Sequence, residues 1–151
     1  MDGVSLKYYT VVNPNEFAYV SDTSRRGEKI AIACNNNNKS YICSSTYIVF
    51  KINDITKLLP KYLLMWFERN EFDRYARFNS WGSAREIFSW EEMCNVKIPI
   101  IDSCVQQDIV NIFETYNSRK NINTLLKKQI KNICPILIKG AIDEAKRLKE
   151  V

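Results

Sequence analysis

The alternation of apolar and polar positions changes character twice along this chain. Residues 8–20 (YYTVVNPNEFAYV) are rich in Val, Tyr and Phe and are interrupted by Pro14-Asn15, which predicts two short strands around a turn. A polar loop follows over residues 21–27, closed by Gly27. Residues 29–34 (KIAIAC) alternate and run into Asn35-Asn36-Asn37-Asn38, and residues 41–51 (YICSSTYIVFK) are again β-branched and aromatic. That order predicts a hairpin with an asparagine-rich connection, because asparagine tolerates left-handed backbone angles.

From Pro60 the spacing turns helical. Proline suits a first helical position, and Leu63, Leu64, Trp66 and Phe67 then form a broad apolar face over residues 60–69. Asn70 is the expected cap of a second helix over 71–78, with Phe72, Tyr75 and Ala76 inward. Residues 79–85 (NSWGSAR) read as a loop. Ser89 and Glu92 fit a capping box for a short helix near Met93, and residues 96–100 (VKIPI) read as an edge strand, since Pro99 has no ladder donor.

After Asp102 the texture changes again. Ser103 and Gln106 fit a second capping box. Apolar residues then recur at Ile122, Leu126, Ile130, Ile133, Leu137, Ala141, Ala145 and Leu148, a helical stripe without a strict heptad. Pro135 lies inside it and is expected to kink or break the helix. A helix with one apolar stripe needs a partner surface, supplied by the preceding region or by another chain. The expected architecture is α+β: a mixed domain over residues 1–101 and a helical arm over 102–151.

Composition narrows the chemistry. There is no histidine, which excludes Ser-His-Asp and Cys-His catalysis and leaves only a carboxylate-based site open. Cys34, Cys43, Cys94, Cys104 and Cys134 are scattered and form no close pair, so they read as reduced thiols of a cytoplasmic protein with no metal site and no cofactor. No apolar run reaches the length of a membrane span, and Met1-Asp2-Gly3-Val4-Ser5 lacks the order of a secretory leader.

The net charge of +5 matters less than its placement. Arg119, Lys120, Lys127, Lys128, Lys131 and Lys139 occur without an intervening acid, which is the pattern of a solvated helix face. Arg69, Arg74, Arg77 and Arg85 are interleaved with Trp66, Phe67, Phe72, Tyr75, Phe78 and Trp81. Such interleaving suits a polyanion; the plainer alternative is a core aromatic cluster with a basic exterior.

Residues 58–100, with the S-R-x-G loop at 24–27, the G-S-A-R loop at 82–85 and the E-x-M-x-x-V-x-I-P ending, resemble a target-recognition domain from the DNA-recognition (specificity) subunit of type I restriction–modification systems. Residues 105–145 resemble that family's spacer helix, so the resemblance covers nearly the whole chain. It implies a non-catalytic subunit in which each domain reads half of a split sequence in double-stranded DNA. The helices dock a modification (methyltransferase) subunit that methylates adenine with S-adenosylmethionine and, through it, a restriction subunit. The chain departs from the family by holding one recognition domain and by starting late relative to the family's strands. Half-size subunits in the family pair as homodimers, which restores two-fold symmetry.

The resemblance directs attention to particular residues. Ser24, Arg25, Arg26 and Gly27 in the first loop, and Gly82, Ser83 and Arg85 in the second, are candidate DNA contacts, since arginine forks grip phosphates or guanine edges. Arg74 and Arg77 are further candidates, with pairing to Glu71 or Asp73 as the alternative. Trp66, Phe67, Phe72 and Trp90 read as core rather than as base-stacking groups. Ile122, Leu126, Ile130, Ile133 and Leu137 form the expected partner-helix interface. The competing function is an interaction protein whose arm pairs with itself or a modification subunit without independent DNA reading. A nuclease built on Glu91 and Glu92 is disfavoured, because adjacent helical residues point apart.

Overall fold

The computed structural model describes residues 8–23 and 29–148. The architecture is α+β, with five strands in two small antiparallel sheets and four helices among the described residues. Strands β1 (Tyr9–Val12) and β4 (Tyr41–Ser44) form one sheet. Strands β3 (Ala31–Cys34), β2 (Phe17–Val20) and β5 (Tyr47–Phe50) form the other, in the order β3-β2-β5. The central β2 buries Phe17 and Tyr19 completely, as strand alternation requires of a half-buried sheet.

The expected hairpin of residues 29–51 is not formed. Strand β3 pairs with β2 and β4 pairs with β1, while Ser45-Thr46 turns the chain from β4 into β5. The asparagine run contributes differently from expectation too. Its first member, Asn35, is buried, and its Nδ2 donates to the Val12 carbonyl at 3.2 Å and the Lys39 carbonyl at 2.8 Å. Its backbone N–H donates to the Glu16 carbonyl at 2.9 Å, and its own carbonyl accepts from Asn15 N–H at 2.8 Å. Among the described non-glycine residues only Asn15 has a positive φ, 64°. Asn35 therefore clips the β1–β2 turn to the strand ends, and left-handed geometry belongs to the turn instead.

Helix α1 (Pro60–Phe67) starts on Pro60 as anticipated, and α2 (Asn70–Phe78) follows with Arg69 in the capping position and Asn70 already inside the helix. Phe17 stacks on Phe50 at 5.0 Å and meets Phe67 edge-on at 6.0 Å, and Phe67 lies 4.7 Å from Phe72. These rings join the three-stranded sheet to both helices. Each large apolar side chain buried here contributes about 1.5–3 kcal/mol. Tyr75, expected inward, is at the surface, with its ring edge-on to Phe88. Trp66 is half-buried and Trp90 more exposed, although Trp90 stays 5.2 Å from Phe50.

Ser89 caps α3 (Trp90–Cys94) by accepting from the Glu92 N–H. Residues 96–100 form no strand; Val96 and Ile98 pack on the core, and the Tyr62 hydroxyl donates to the Pro99 carbonyl at 3.4 Å. Helix α4 (Ser103–Arg147) runs as one element through Pro135, so of the two expected effects, a kink or a break, the break does not occur.

The second capping box also resolves differently. Asp102 Oδ1 accepts from Cys104 N–H at 2.8 Å, as an N-cap side chain does. Gln106, fully buried, donates from Nε2 to the carbonyls of Lys57 and Ile101, both at 2.7 Å, and accepts from Leu59 N–H at 3.0 Å. It pins the first turns of α4 to the segment entering α1. The chain divides into two compact units, residues 1–110 and 111–151, the second consisting of the remainder of α4 and the residues after it.

Candidate functional site

The two loops picked out by their arginines and glycines are joined at their bases by backbone hydrogen bonds. Phe88 N–H donates to the Ser21 carbonyl at 2.9 Å, and Thr23 N–H donates to the Glu86 carbonyl at 3.0 Å. Thr23 is buried, and its hydroxyl donates toward the same Glu86 carbonyl (3.1 Å) and Ser80 Oγ (3.2 Å). Ser80 in turn donates to the Ala76 carbonyl at 2.6 Å, which ties both loops to the end of α2. On the far side of the first loop, Ile30 N–H donates to Asp73 Oδ1 of α2 at 3.0 Å. Ser24, Arg25, Arg26 and Gly27 lie outside the described residues; before them Thr23 is bonded to Ser80 and Glu86, and after them Ile30 is bonded to Asp73 of α2.

The second loop is closed by Trp81 and Ile87, which exchange both backbone hydrogen bonds at 3.1 and 3.0 Å. Gly82 has φ 143°, and a Cβ on it would collide with the Arg85 carbonyl oxygen. Glycine is thus required by the turn itself.

A cavity of about 360 Å³ is lined by Thr23, Arg77, Gly82, Ser83, Ala84, Arg85 and Glu86. A second, also about 360 Å³, is lined by Lys29, Asn70, Asp73, Arg74 and Arg77. Arg77 belongs to both, so the structure brings Arg74, Arg77, Gly82, Ser83 and Arg85 onto one continuous surface and adds Lys29 to them. All four of these cations are exposed.

The acids of α2 do not cancel this charge evenly. Asp73 is engaged by the Ile30 N–H. Arg74 reaches Glu71 at 3.4 Å, with both side chains exposed, where ion pairs contribute little. Glu71 is held below the usual carboxylate range by its own backbone N–H and then by Arg69 and Arg74, so it stays ionised near neutrality.

Two residues noted in the sequence only as aromatics among arginines stand out here. Phe78 is 80% exposed and Trp81 67% exposed. The reading that these aromatics mainly build a core fits Phe67 and Phe72 and fails for this pair. Composition carried a signal for them, since Phe78 follows Arg77 and Trp81 lies four residues from both Arg77 and Arg85, but periodicity did not show that they face solvent.

A third cavity, about 380 Å³, lies on the opposite flank of α2 between Trp66, Tyr75 and Val96, with the Arg69 guanidinium 4.1 Å above the Trp66 ring. Among the described residues no group of three His, Cys, Asp or Glu side chains is placed to hold a metal ion. No described helix is long and apolar enough to cross a membrane.

In the second unit, Ile122, Leu126, Ile130, Ile133 and Leu137 are all exposed, at 50–64%. Steps of three and four along a continuous helix place them along one side, as the spacing implied.

No curated protein matches the chain by sequence. The family model for the type I restriction modification DNA specificity domain matches residues 6–149, covering both the loop-bearing unit and the helical arm. With that match and the α+β architecture, the chain belongs to the type I restriction–modification DNA specificity domain family.

Proposed function

We propose that this chain reads double-stranded DNA through the surface formed by α2 and the 82–86 loop, and performs no chemistry itself. The observation that carries the reading is the position of Arg77, shared between the cavity beside Arg74 and Lys29 and the cavity beside Ser83 and Arg85. Four exposed cations along one surface suit an anionic backbone, and the arginines add planar forks suited to phosphates and guanine edges. Phosphate contacts position the protein, and contacts to base edges select the sequence.

In this reading residues 1–101 are the recognition domain and 102–151 the docking arm of a cytoplasmic complex. The exposed stripe from Ile122 to Leu137 receives a modification subunit, which performs adenine methylation and recruits the restriction subunit, or it pairs with a second copy. Exposed apolar side chains at helical spacing support a helix-docking role, because water is a poor partner for such a stripe.

The test is selection from a random duplex library, with and without a modification subunit, at several salt concentrations. The expected result is an enriched sequence and an affinity falling with salt. Replacing Arg85 or Arg74 by Ala lowers the log–log salt slope by about 0.9 per lost phosphate contact. Absence of any enriched sequence in both arms overturns the reading.

A further inference from the structure

We infer that Trp81, supported by Phe78 and Ile87, is an apolar DNA-contact residue that packs against a base or sugar beside the arginine-gripped phosphates. The inference rests on the DNA-reading surface proposed above and names a part of that surface that its charges do not supply.

Trp81 is held in place by its two backbone hydrogen bonds with Ile87. In such a directly opposed antiparallel pair the two side chains share a face. Phe88, the next residue, is fully buried, so alternation turns Ile87 outward, where it is 44% exposed, and Trp81 with it. Phe78 lies four residues after Arg74 on α2, hence on the same side of the helix as that arginine. Three apolar side chains therefore lie exposed around the base of the loop that carries Ser83 and Arg85, next to cations.

Burying an indole or a phenyl ring contributes about 1.5–3 kcal/mol, so two such rings left exposed in one short stretch suit a partner's surface. Their occupant is chosen by the surroundings. Arg74 and Arg77 precede Phe78 on α2, and Arg85 lies in the loop that the Trp81–Ile87 pair closes, which suits a surface both anionic and rich in flat apolar faces. Duplex DNA offers both, through phosphates and through base steps, sugars and thymine methyl groups.

The rigid mounting of Trp81 adds to the argument. Its backbone is fixed by the pairing with Ile87, so contact orders only the two torsions of the indole side chain, which keeps the entropic cost low. Arginines select by charge and fork geometry, whereas an indole selects by shape and by the stacking energy of the step it meets.

The experiment uses the full chain and a random-sequence DNA duplex, with affinity measured across a salt series. Trp81→Ala is expected to weaken binding by about tenfold at every salt concentration with the log–log slope unchanged. Phe78→Ala gives a smaller loss of the same kind. Arg85→Ala in parallel lowers both affinity and slope. Trp81→Phe restores most of the affinity, which a merely structural lesion at the loop base would not predict to depend on aromaticity. On binding, the exposed indole of Trp81 also becomes shielded from a neutral quencher, and this change disappears in Trp81→Phe.

If Arg85→Ala weakens binding while Trp81→Ala and Phe78→Ala do not, the apolar contact is overturned and the charged surface stands. If neither the arginine nor the aromatic variants change affinity, or the unaltered chain binds no duplex, both readings fall. A Trp81→Ala effect accompanied by loss of the native near-ultraviolet signal, with Trp81→Phe equally impaired, likewise overturns the contact.

Discussion

Gln106→Leu should destabilise the first unit by about 3 kcal/mol. The residue is wholly buried and satisfies three backbone groups at once: the Leu59 N–H and the carbonyls of Lys57 and Ile101. Leucine has nearly the right volume but no polar atom, so all three groups lose their partner without a large cavity opening. Each bond contributes about 1 kcal/mol net, and a buried group left unpaired costs about 1–3 kcal/mol. The three partners are only partly buried, which places the sum near its lower bound, about 3 kcal/mol. For a chain of this size that corresponds to a fall in Tm of roughly 6–12 °C. The assay is urea unfolding followed by tryptophan fluorescence, because Trp66, Trp81 and Trp90 all lie in the first unit. The midpoint should fall by about 1–2 M with an unchanged slope. Gln106→Glu sharpens the test. It keeps an acceptor for Leu59 but sets a charged oxygen against two carbonyls, so its loss exceeds that of leucine near neutrality. The loss shrinks as pH falls toward about 4, the unfolded carboxyl value, because the buried acid takes up its proton first and can then donate to one of the carbonyls. A loss below about 1 kcal/mol for Gln106→Leu would refute the claim that this side chain pins α4 to the chain entering α1.

Three other outcomes follow from the described contacts. Gly82→Ala forces a left-handed backbone and a collision with the Arg85 carbonyl; the expected cost is about 1–3 kcal/mol, seen as faster amide exchange at Trp81 and Ile87. Burial raises the Cys34 thiol from 9.0 to about 11 and raises Tyr19 from 10.0 to about 12, the latter helped by the charges of Cys94 and Glu91. The folded state therefore keeps these protons after the unfolded chain has released them. Their stabilising effect is whole below the unfolded values, fades as pH rises through the folded ones, and makes urea midpoints decline from about pH 9 upward, less steeply in Cys34→Ala. Thiol labelling of the native protein should modify the exposed Cys94, Cys104 and Cys134 first and Cys34 last, with peptide mapping as the readout.

Features governed by local chemistry were readable in the sequence, and features governed by distant partners were not. Pro60 starts α1 and Ser89 caps α3 because both effects operate within a turn. Strand pairing is another matter. Residues 29–51 have the alternation of a hairpin, yet β3 prefers the edge of β2, and no short window records that choice. Residues 96–100 alternate inward and outward as a strand would, but alternation reports burial of Val96 and Ile98 and says nothing about ladder partners. Gln106 fitted a local capping pattern, although its bonding partners at Lys57 and Leu59 are nearly fifty positions away in the chain. The arm continues through Pro135 because losing one backbone donor does not outweigh the helix on either side. Of the candidate site, Arg74, Arg77, Gly82, Ser83 and Arg85 were legible through their spacing and the family motif. Lys29 and the outward aspect of Phe78 and Trp81 emerged only with the fold.

The bonds from Thr23 to Glu86 and from Phe88 to Ser21 also bear on how such a domain acquires a new target. Two stretches that are some sixty positions apart in the gene share one short ladder, so neither can change its backbone course alone. Recombination that imports only one of them would join mismatched edges and leave the Thr23 hydroxyl without its acceptor. Exchange of the whole span from Ser21 to Phe88 keeps the ladder self-consistent. Targets should therefore diversify in two ways: by point changes at loop tips, or by replacement of this entire block. Chimeras cut between the loops should express as poorly folded protein, whatever sequence they were meant to read.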